Sequence, residues 1–458
     1  MDDHHRARTS ISALVTLLVA CLLVSCSADP VRPPPPNLLA DFPNPSGLAK
    51  SISSSGGVDQ SNPFFKDLGI NGRSCATCHQ ASDGWTVTPV HVQDRFEVSG
   101  GTDPIFRTVD GANSPLADVS TLEAKRRAYS LLLEKGLIRV GMPIPAGADF
   151  SLSAVDDPYG FASAAELSLY RRPMPTTNLR FLSTLMWDGR ESVTSQTMHD
   201  NLLHQANSAV KSHAEGARDL TLIEREQIVI FELSLHTAQI FDFSAGDLTD
   251  VGGGPAALSQ QEFFLGINDS LGLNPKGLAF DPKAITLYNA WSGVSSGERA
   301  AARAAVARGQ GLFNSKPITI SGVKGLNDLL NQPTIQGTCT TCHDAPNVGN
   351  HSLPAPLDIG LTDASRRTAD LPLYTFKNKF TGETVQSTDP GRALVSGKWA
   401  DIGKFKGPIL RGLAARAPYF HNGSAASLQE AVNFYNSRFA LKLSDGEIND
   451  LVAFLKTL

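Results

Sequence analysis

Two five-residue runs carry the chemistry of this sequence: Cys75-Ala76-Thr77-Cys78-His79 and Cys339-Thr340-Thr341-Cys342-His343. Two cysteines on one turn present their sulfurs to the two vinyl groups of a single haem, and the histidine that follows turns its ring toward the iron. A lone CxxC serves equally as a zinc half-site or a dithiol pair, but here histidine follows both times and no CxxC lacks it. The spacing therefore predicts two covalently attached c-type haems, with His79 and His343 as axial ligands. The chain has six cysteines, and the remaining two, Cys21 and Cys26, lie in an apolar N-terminal stretch, so none is left for a disulfide.

The sixth iron position decides what such a haem does, because a filled site passes electrons and an open one meets peroxide or oxygen. Electron-transfer c haems commonly use methionine there. The five methionines are Met1, Met142, Met174, Met186 and Met198, and none follows His343. Unless one reaches in from the first half, the second iron is five-coordinate or takes an oxygen or nitrogen ligand from His351, His421, Tyr419 or Tyr435.

The elements that must position these groups are read from pattern. At 458 residues, with 41% hydrophobic and 19% charged residues, the chain can bury a large core in two domains. A net charge of −5 argues against nucleic acid or an anionic membrane surface as partner. Arg6 and Arg8, the apolar run from Ile11 to Val24, and Ser25-Cys26 form an export signal over residues 1–26. A small residue before cysteine predicts a lipoprotein, with Cys26 lipidated and the protein periplasmic and held at a membrane; ordinary cleavage nearby is the alternative. Residues 27–59, with Pro33 to Pro36, are expected to form a tether, followed by domains at 60–295 and 296–458. Helices are predicted from Thr221 to Ile240, with Thr221 and Glu224 as capping box, and from Glu298 through Gly309 to Phe313. A final helix is capped by Ser444 and Glu447 and has Ile448, Leu451, Val452 and Leu455 on its apolar face. Residues 241–299 read as a long connection. Strand-like alternation is scarce, so the expected fold is mainly α.

Three stretches carry a family resemblance: Ser74 to His79, Trp187-Asp188-Gly189-Arg190, and Ala417-Pro418-Tyr419-Phe420-His421-Asn422-Gly423-Ser424 running on to Glu430-Ala431-Val432. From about residue 60 to 458 the chain resembles bacterial dihaem cytochrome c peroxidases and their relative MauG, the haem enzyme of methylamine utilisation. The resemblance implies two tandem cytochrome c-like domains with long loops, a first haem that meets hydrogen peroxide and a second that exchanges electrons with a small cytochrome c or cupredoxin. The family's second-haem methionine stands 17 residues after the proline of the Pro-Tyr-Phe-His motif, and Tyr435 falls there, as tyrosine does in MauG-like proteins. The alternative is a Tyr435 packed in the core beside Phe434. Trp187 matches the tryptophan that relays electrons between the haems, although a core tryptophan has the same appearance.

On the peroxide side the family uses a glutamine and a glutamate ten residues apart, which Gln205 and Glu215 match; a carboxylate there moves a proton from the inner to the outer peroxide oxygen. His199, His204 and His213 crowd the same stretch, and one of them is an alternative distal base or ligand of the first iron. The family also holds a calcium ion between its domains, on two backbone carbonyls and an upstream asparagine. Arg416 and Pro418 fit the carbonyls; Arg172 falls near the asparagine's place, and Asn178 is the nearest asparagine. The leading function is a peroxidase-type oxidoreductase. A MauG-like oxidase acting on a protein or organic substrate, and a non-enzymatic electron carrier, are the alternatives.

Overall fold

The computed structural model describes residues 37–458, of which Leu38–Leu458 form one compact unit. The export signal, Cys26 and the start of the tether lie outside the described residues. Within them no helix is long and apolar enough to cross a membrane.

The expectation of a mainly α chain is overturned: among the described residues ten α-helices stand beside eleven strands in four sheets. The largest sheet is antiparallel and is built on Gly47–Ser53, which lies between Asp41–Asn44 and Leu235–Asp242. Its first two strands fall inside the predicted tether. Along Gly47–Ser53 burial alternates strictly, but the buried face is Gly47, Ala49, Ser51 and Ser53, while Leu48 and Ile52 face outward. A strand whose inward residues are small and polar has the period of a strand without its hydrophobic signature.

Leu235–Asp242 supplies the second correction. The predicted helix keeps its start, with Thr221 and Glu224 forming the capping box, but it ends at Ser234. The chain then turns extended and pairs along Gly47–Ser53 from Ser53 opposite Leu235 to Gly47 opposite Asp242. Tertiary pairing decides here, because the apolar residues of the segment suit either period.

A second sheet joins distant parts of the chain: Leu373–Asn378 pairs with Thr384–Ser387 on one side and with Phe150–Asp156 on the other. The helices at Ala300–Ser315 and Asp445–Lys456 form as expected, the latter with its Ser444 and Glu447 box. They pack closely at Gly309, where a Cβ would lie 2.0 Å from the carbonyl oxygen of Asp450. Phe313, Phe454, Leu451 and Val306 fill the core beneath them, and Phe313 also lines the second CxxCH cavity.

Candidate functional site

Each CxxCH run folds as a short 3-10 turn closed by its own hydroxyls. Ser74 and Thr77 cap the first turn reciprocally, and Thr338 and Thr341 cap the second. Each histidine is then fixed in the same way, six residues from its acceptor: His79 Nδ1 donates to the carbonyl of Trp85 at 3.0 Å, and His343 Nδ1 to that of Gly349 at 3.1 Å. A carbonyl only accepts, so the proton resides on Nδ1 and Nε2 keeps its lone pair for a metal. Burial pushes both imidazoles down to about 4, so they stay neutral.

Two large cavities open against these turns. Cys75, Cys78 and His79 line one, and Cys339, Cys342 and His343 the other. Each thus offers two thiols and one neutral imidazole to a single apolar space, which is the donor set a c-type haem requires. The cavities abut: Lys406 and Ile409 line both, and the chain passes between them with Leu185 and Met186 on the first and Trp187 on the second.

In the second cavity all four candidate ligands are present. The Tyr419 hydroxyl is committed to the carbonyl of Leu413 at 2.9 Å, and His351 Nδ1 to that of Leu353 at 3.0 Å. His421 lies flat on Phe405, with ring centroids 4.2 Å apart, and both its ring nitrogens are buried without a partner among the described residues. Tyr435 projects from the helix Leu428–Arg438 with Phe420, Phe434 and Phe439 around its ring, and its hydroxyl has no hydrogen-bond partner among the described residues. Burial pushes this phenol upward, and the nearby Cys342 and Cys339 add to the effect.

The first cavity is roofed by the helix Met198–His213, which starts at a Thr197 and Asp200 capping box. Gln205 and His213 both face the cavity from it. Among the described residues His213 Nδ1 pairs with Asp110 Oδ2 at 2.6 Å, which leaves Nε2 as the open ring nitrogen. Burial alone would raise the Asp110 carboxyl, but Arg73 and His213 outweigh it and hold it below its ordinary value. Glu215 is exposed, bonded to the side chain of Asn71 at 2.9 Å, and does not line the cavity. His199 and His204 pair instead with Glu226 and Glu191.

Two cavity residues escaped the sequence reading. Lys406 is buried, donates to the carbonyl of Thr184 at 2.9 Å, and is pushed down to about 7 by burial. Glu232 lines the first cavity with one carboxylate oxygen unpaired, and burial raises it to about 8. Its signal was legible, since it is the one charged residue on the buried face Ile228, Val229, Phe231, Glu232. Glu232 keeps its proton in the fold up to about pH 8 but loses it near its ordinary value on unfolding. Stability should therefore fall as pH rises between these values, by at most about 1.4 kcal/mol per pH unit. Denaturation midpoints of Glu232→Gln, compared with the parent at pH 5.5 and 7.5, should show that slope removed; parallel curves would mean the carboxyl is solvated.

Two of the predicted calcium ligands are engaged in hydrogen bonds within the chain. The Asn178 amide is occupied in both directions by the backbone of Thr237, at 2.9 and 3.0 Å. The carbonyl of Arg416 already accepts from Arg172 at 3.2 Å. Among the described residues no group of three or more His, Cys, Asp or Glu side chains could hold a metal ion.

Trp187 is fixed at both ends. Its indole N–H donates to the carbonyl of Arg172 at 2.8 Å, and its ring meets His421 edge-on, with centroids 6.2 Å apart. The neighbouring Asp188 is fully buried between Arg171 at 2.6 Å and Arg190 at 3.1 Å, and Arg171 also reaches Asp389 at 2.7 Å. Burial would raise Asp188, but these arginines outweigh it and hold it at about 2.

No family model matches the chain. It is 33% identical over 135 residues to the cytochrome-c peroxidase IdrP2 of Denitromonas iodatirespirans, covering 27% of this chain and 37% of that protein. It is 30% identical over 144 residues to the cytochrome c551 peroxidase of Nitrosomonas europaea, covering 30% and 37%. The longest of the alignments described here, to the cytochrome-c peroxidase IdrP1 of D. iodatirespirans, is 25% identical over 305 residues, or 63% of this chain and 68% of the relative. The matched stretch thus spans little more than a third of the first two relatives. A solved structure of a MauG-like protein associated with microbial copper homeostasis aligns over 92% of this chain and 94% of its own, at 16% identity and a TM-score of 0.39. These curated relatives are named cytochrome c peroxidases, and over the matched stretches the chain, with its paired CxxCH cavities, is similar to them.

Proposed function

We propose that the chain is a periplasmic dihaem peroxidase, which reduces hydrogen peroxide at the cavity of His79 with electrons that arrive through the cavity of His343. The observation that carries this reading is the inequality of two abutting cavities. The first presents Gln205 and an Asp110-oriented His213 lining the same space as its CxxCH histidine; the second presents Tyr435. Bound haem iron supplies peroxide binding and electron transfer. The chain's own part is proton handling: His213 Nε2 takes a proton from the incoming peroxide and delivers it to the outer oxygen, which leaves as water. The donor is proposed to be a small cytochrome c or cupredoxin.

Steady-state turnover of peroxide with reduced cytochrome c tests the proposal. A ferric spectrum with two low-spin haems that ignore peroxide would sink it. Tyr435 favours a second reading, the MauG-like oxidase, since an anionic oxygen ligand at the second haem favours its more oxidised states. Peroxide consumption that needs an oxidisable protein or organic compound, and not reduced cytochrome, would select that reading.

Trp187 lies where the cavities meet, and we assign it the electron relay. Trp187→Phe keeps an aromatic ring but removes the easily oxidised indole and its bond to Arg172. Electron transfer between the haems, followed by stopped-flow after one-electron reduction, should slow roughly tenfold or more, about 1.4 kcal/mol in the barrier. An unchanged rate would reduce Trp187 to core packing.

A further inference from the structure

Arg171 and Arg172 are neighbours at the end of the strand Leu167–Arg171, and the pleat sends their side chains to opposite sides. Arg171 is neutralised by Asp188 and Asp389. Arg172 is equally buried, yet among the described residues it forms no ion pair. Its Nη1 donates to the carbonyl of Lys135 at 2.8 Å, and its Nη2 to those of Val87 at 2.8 Å and Arg416 at 3.2 Å.

Three carbonyls from three separate segments therefore converge on one cation, the way backbone oxygens surround a hard metal ion, with N–H donors in place of coordinate bonds. The space is shaped for it. Gly136 sits at φ +61°, and a Cβ there would come within 2.6 Å of Arg172 Nη1. The backbone of Arg172 bonds two residues that line the second cavity: its N–H donates to the carbonyl of His421 at 2.7 Å and its carbonyl accepts from the Trp187 indole. Arg172 lines that cavity and Pro173, the next residue, lines the first.

We propose that Arg172 is a built-in cation standing where a divalent ion would otherwise join the two haem regions: its guanidinium gathers the carbonyls of Val87, Lys135 and Arg416, and its backbone sets Trp187. It is a positioning residue. Because the cation is part of the chain, it cannot be removed by chelation, and the carbonyls of Val87, Lys135 and Arg416 are already taken up by it.

The test uses the diheme holo-protein. After dialysis against EGTA, calorimetric titration with calcium chloride should show no site with a dissociation constant of about 1 mM or tighter, and the haem absorption spectra should be unchanged by chelator or calcium. One tightly bound calcium per chain, or spectra that require it, would overturn the proposal. In a second arm, Arg172→Gln should retain both haem spectra but slow electron transfer between the haems roughly tenfold or more, with no recovery on adding calcium. A parental rate would overturn the role at Trp187, and recovery with calcium would overturn the exclusion of the ion. If Arg172→Gln yields no holo-protein, Arg172→Lys, which keeps the charge but cannot bridge three carbonyls, is read on the same scale. The calcium arm does not depend on peroxide turnover, so failure of the peroxidase reading and failure of this one are separable.

Discussion

Replacing His213 by alanine is expected to slow the reaction of the ferric protein with hydrogen peroxide roughly 10²- to 10⁴-fold, the range that a positioned general acid–base group contributes. The expectation rests on orientation. Among the described residues Asp110 engages Nδ1 at 2.6 Å and is itself held by Arg73 on its other oxygen, so the imidazole cannot rotate freely and Nε2 is left as the open nitrogen of a residue that lines the cavity. Asp110→Asn should produce a smaller loss, because an amide can still bond to the ring and hold its orientation but carries no charge. Stopped-flow mixing with peroxide reads both variants. If Glu215 were the proton carrier, Glu215→Gln would show the large loss and His213→Ala would not; its exposure and its bond to Asn71 place it outside the cavity wall. Gln205 faces the same space with a group that cannot change charge, so Gln205→Leu should weaken peroxide binding more than it slows proton transfer.

The parts of this arrangement that could be read from the sequence are those fixed by local rules. The CxxCH turns, the Thr221 and Ser444 capping boxes and the Ala300–Ser315 helix each depend on residues a few positions apart, and each forms where its residues predict. What was not legible depends on partners far away in sequence. The strand Gly47–Ser53 hides because its buried face is Gly, Ala and Ser, chosen to let Ser51 meet Thr237 and the Trp85 indole rather than to fill space. The segment 235–240 reads as helix because nothing local tells its apolar residues that a strand waits 180 or more positions upstream. The same holds for the site. Of the three candidate histidines, His213 pairs with Asp110 on a distant loop, whereas His199 and His204 pair with Glu226 and Glu191. Backbone contacts are hidden for a related reason: a carbonyl's partner leaves no mark on sequence, and the guanidinium that bonds the Arg416 carbonyl lies more than two hundred residues away.

Tyr435→Phe should change one haem and leave the other as it was. The phenol is the second-cavity oxygen without a hydrogen-bond partner among the described residues, whereas Tyr419 and His351 are tied to backbone carbonyls. Burial in an apolar wall keeps a free phenol protonated, so the hydroxyl ionises only if a ferric centre opposite His343 compensates the lost solvation. Phenylalanine fills the same space among Phe420, Phe434 and Phe439 and offers no ligand. The second haem should then lose its six-coordinate ferric spectrum, and its reduction potential should rise by on the order of 0.1 V, since an anionic oxygen ligand stabilises the ferric form. Electron paramagnetic resonance and spectroelectrochemistry on the same sample resolve the two haems. Unchanged signals from both would remove Tyr435 as a ligand. Tyr435→Met carries the argument further: a thioether in this position should raise the potential more than phenylalanine does, favour electron transfer from a small donor, and weaken any oxidation of protein or organic substrates that depends on the phenolate. If the methionine variant gains peroxide turnover with reduced cytochrome while the parent has little, the tyrosine is what directs the chain toward the MauG-like reaction.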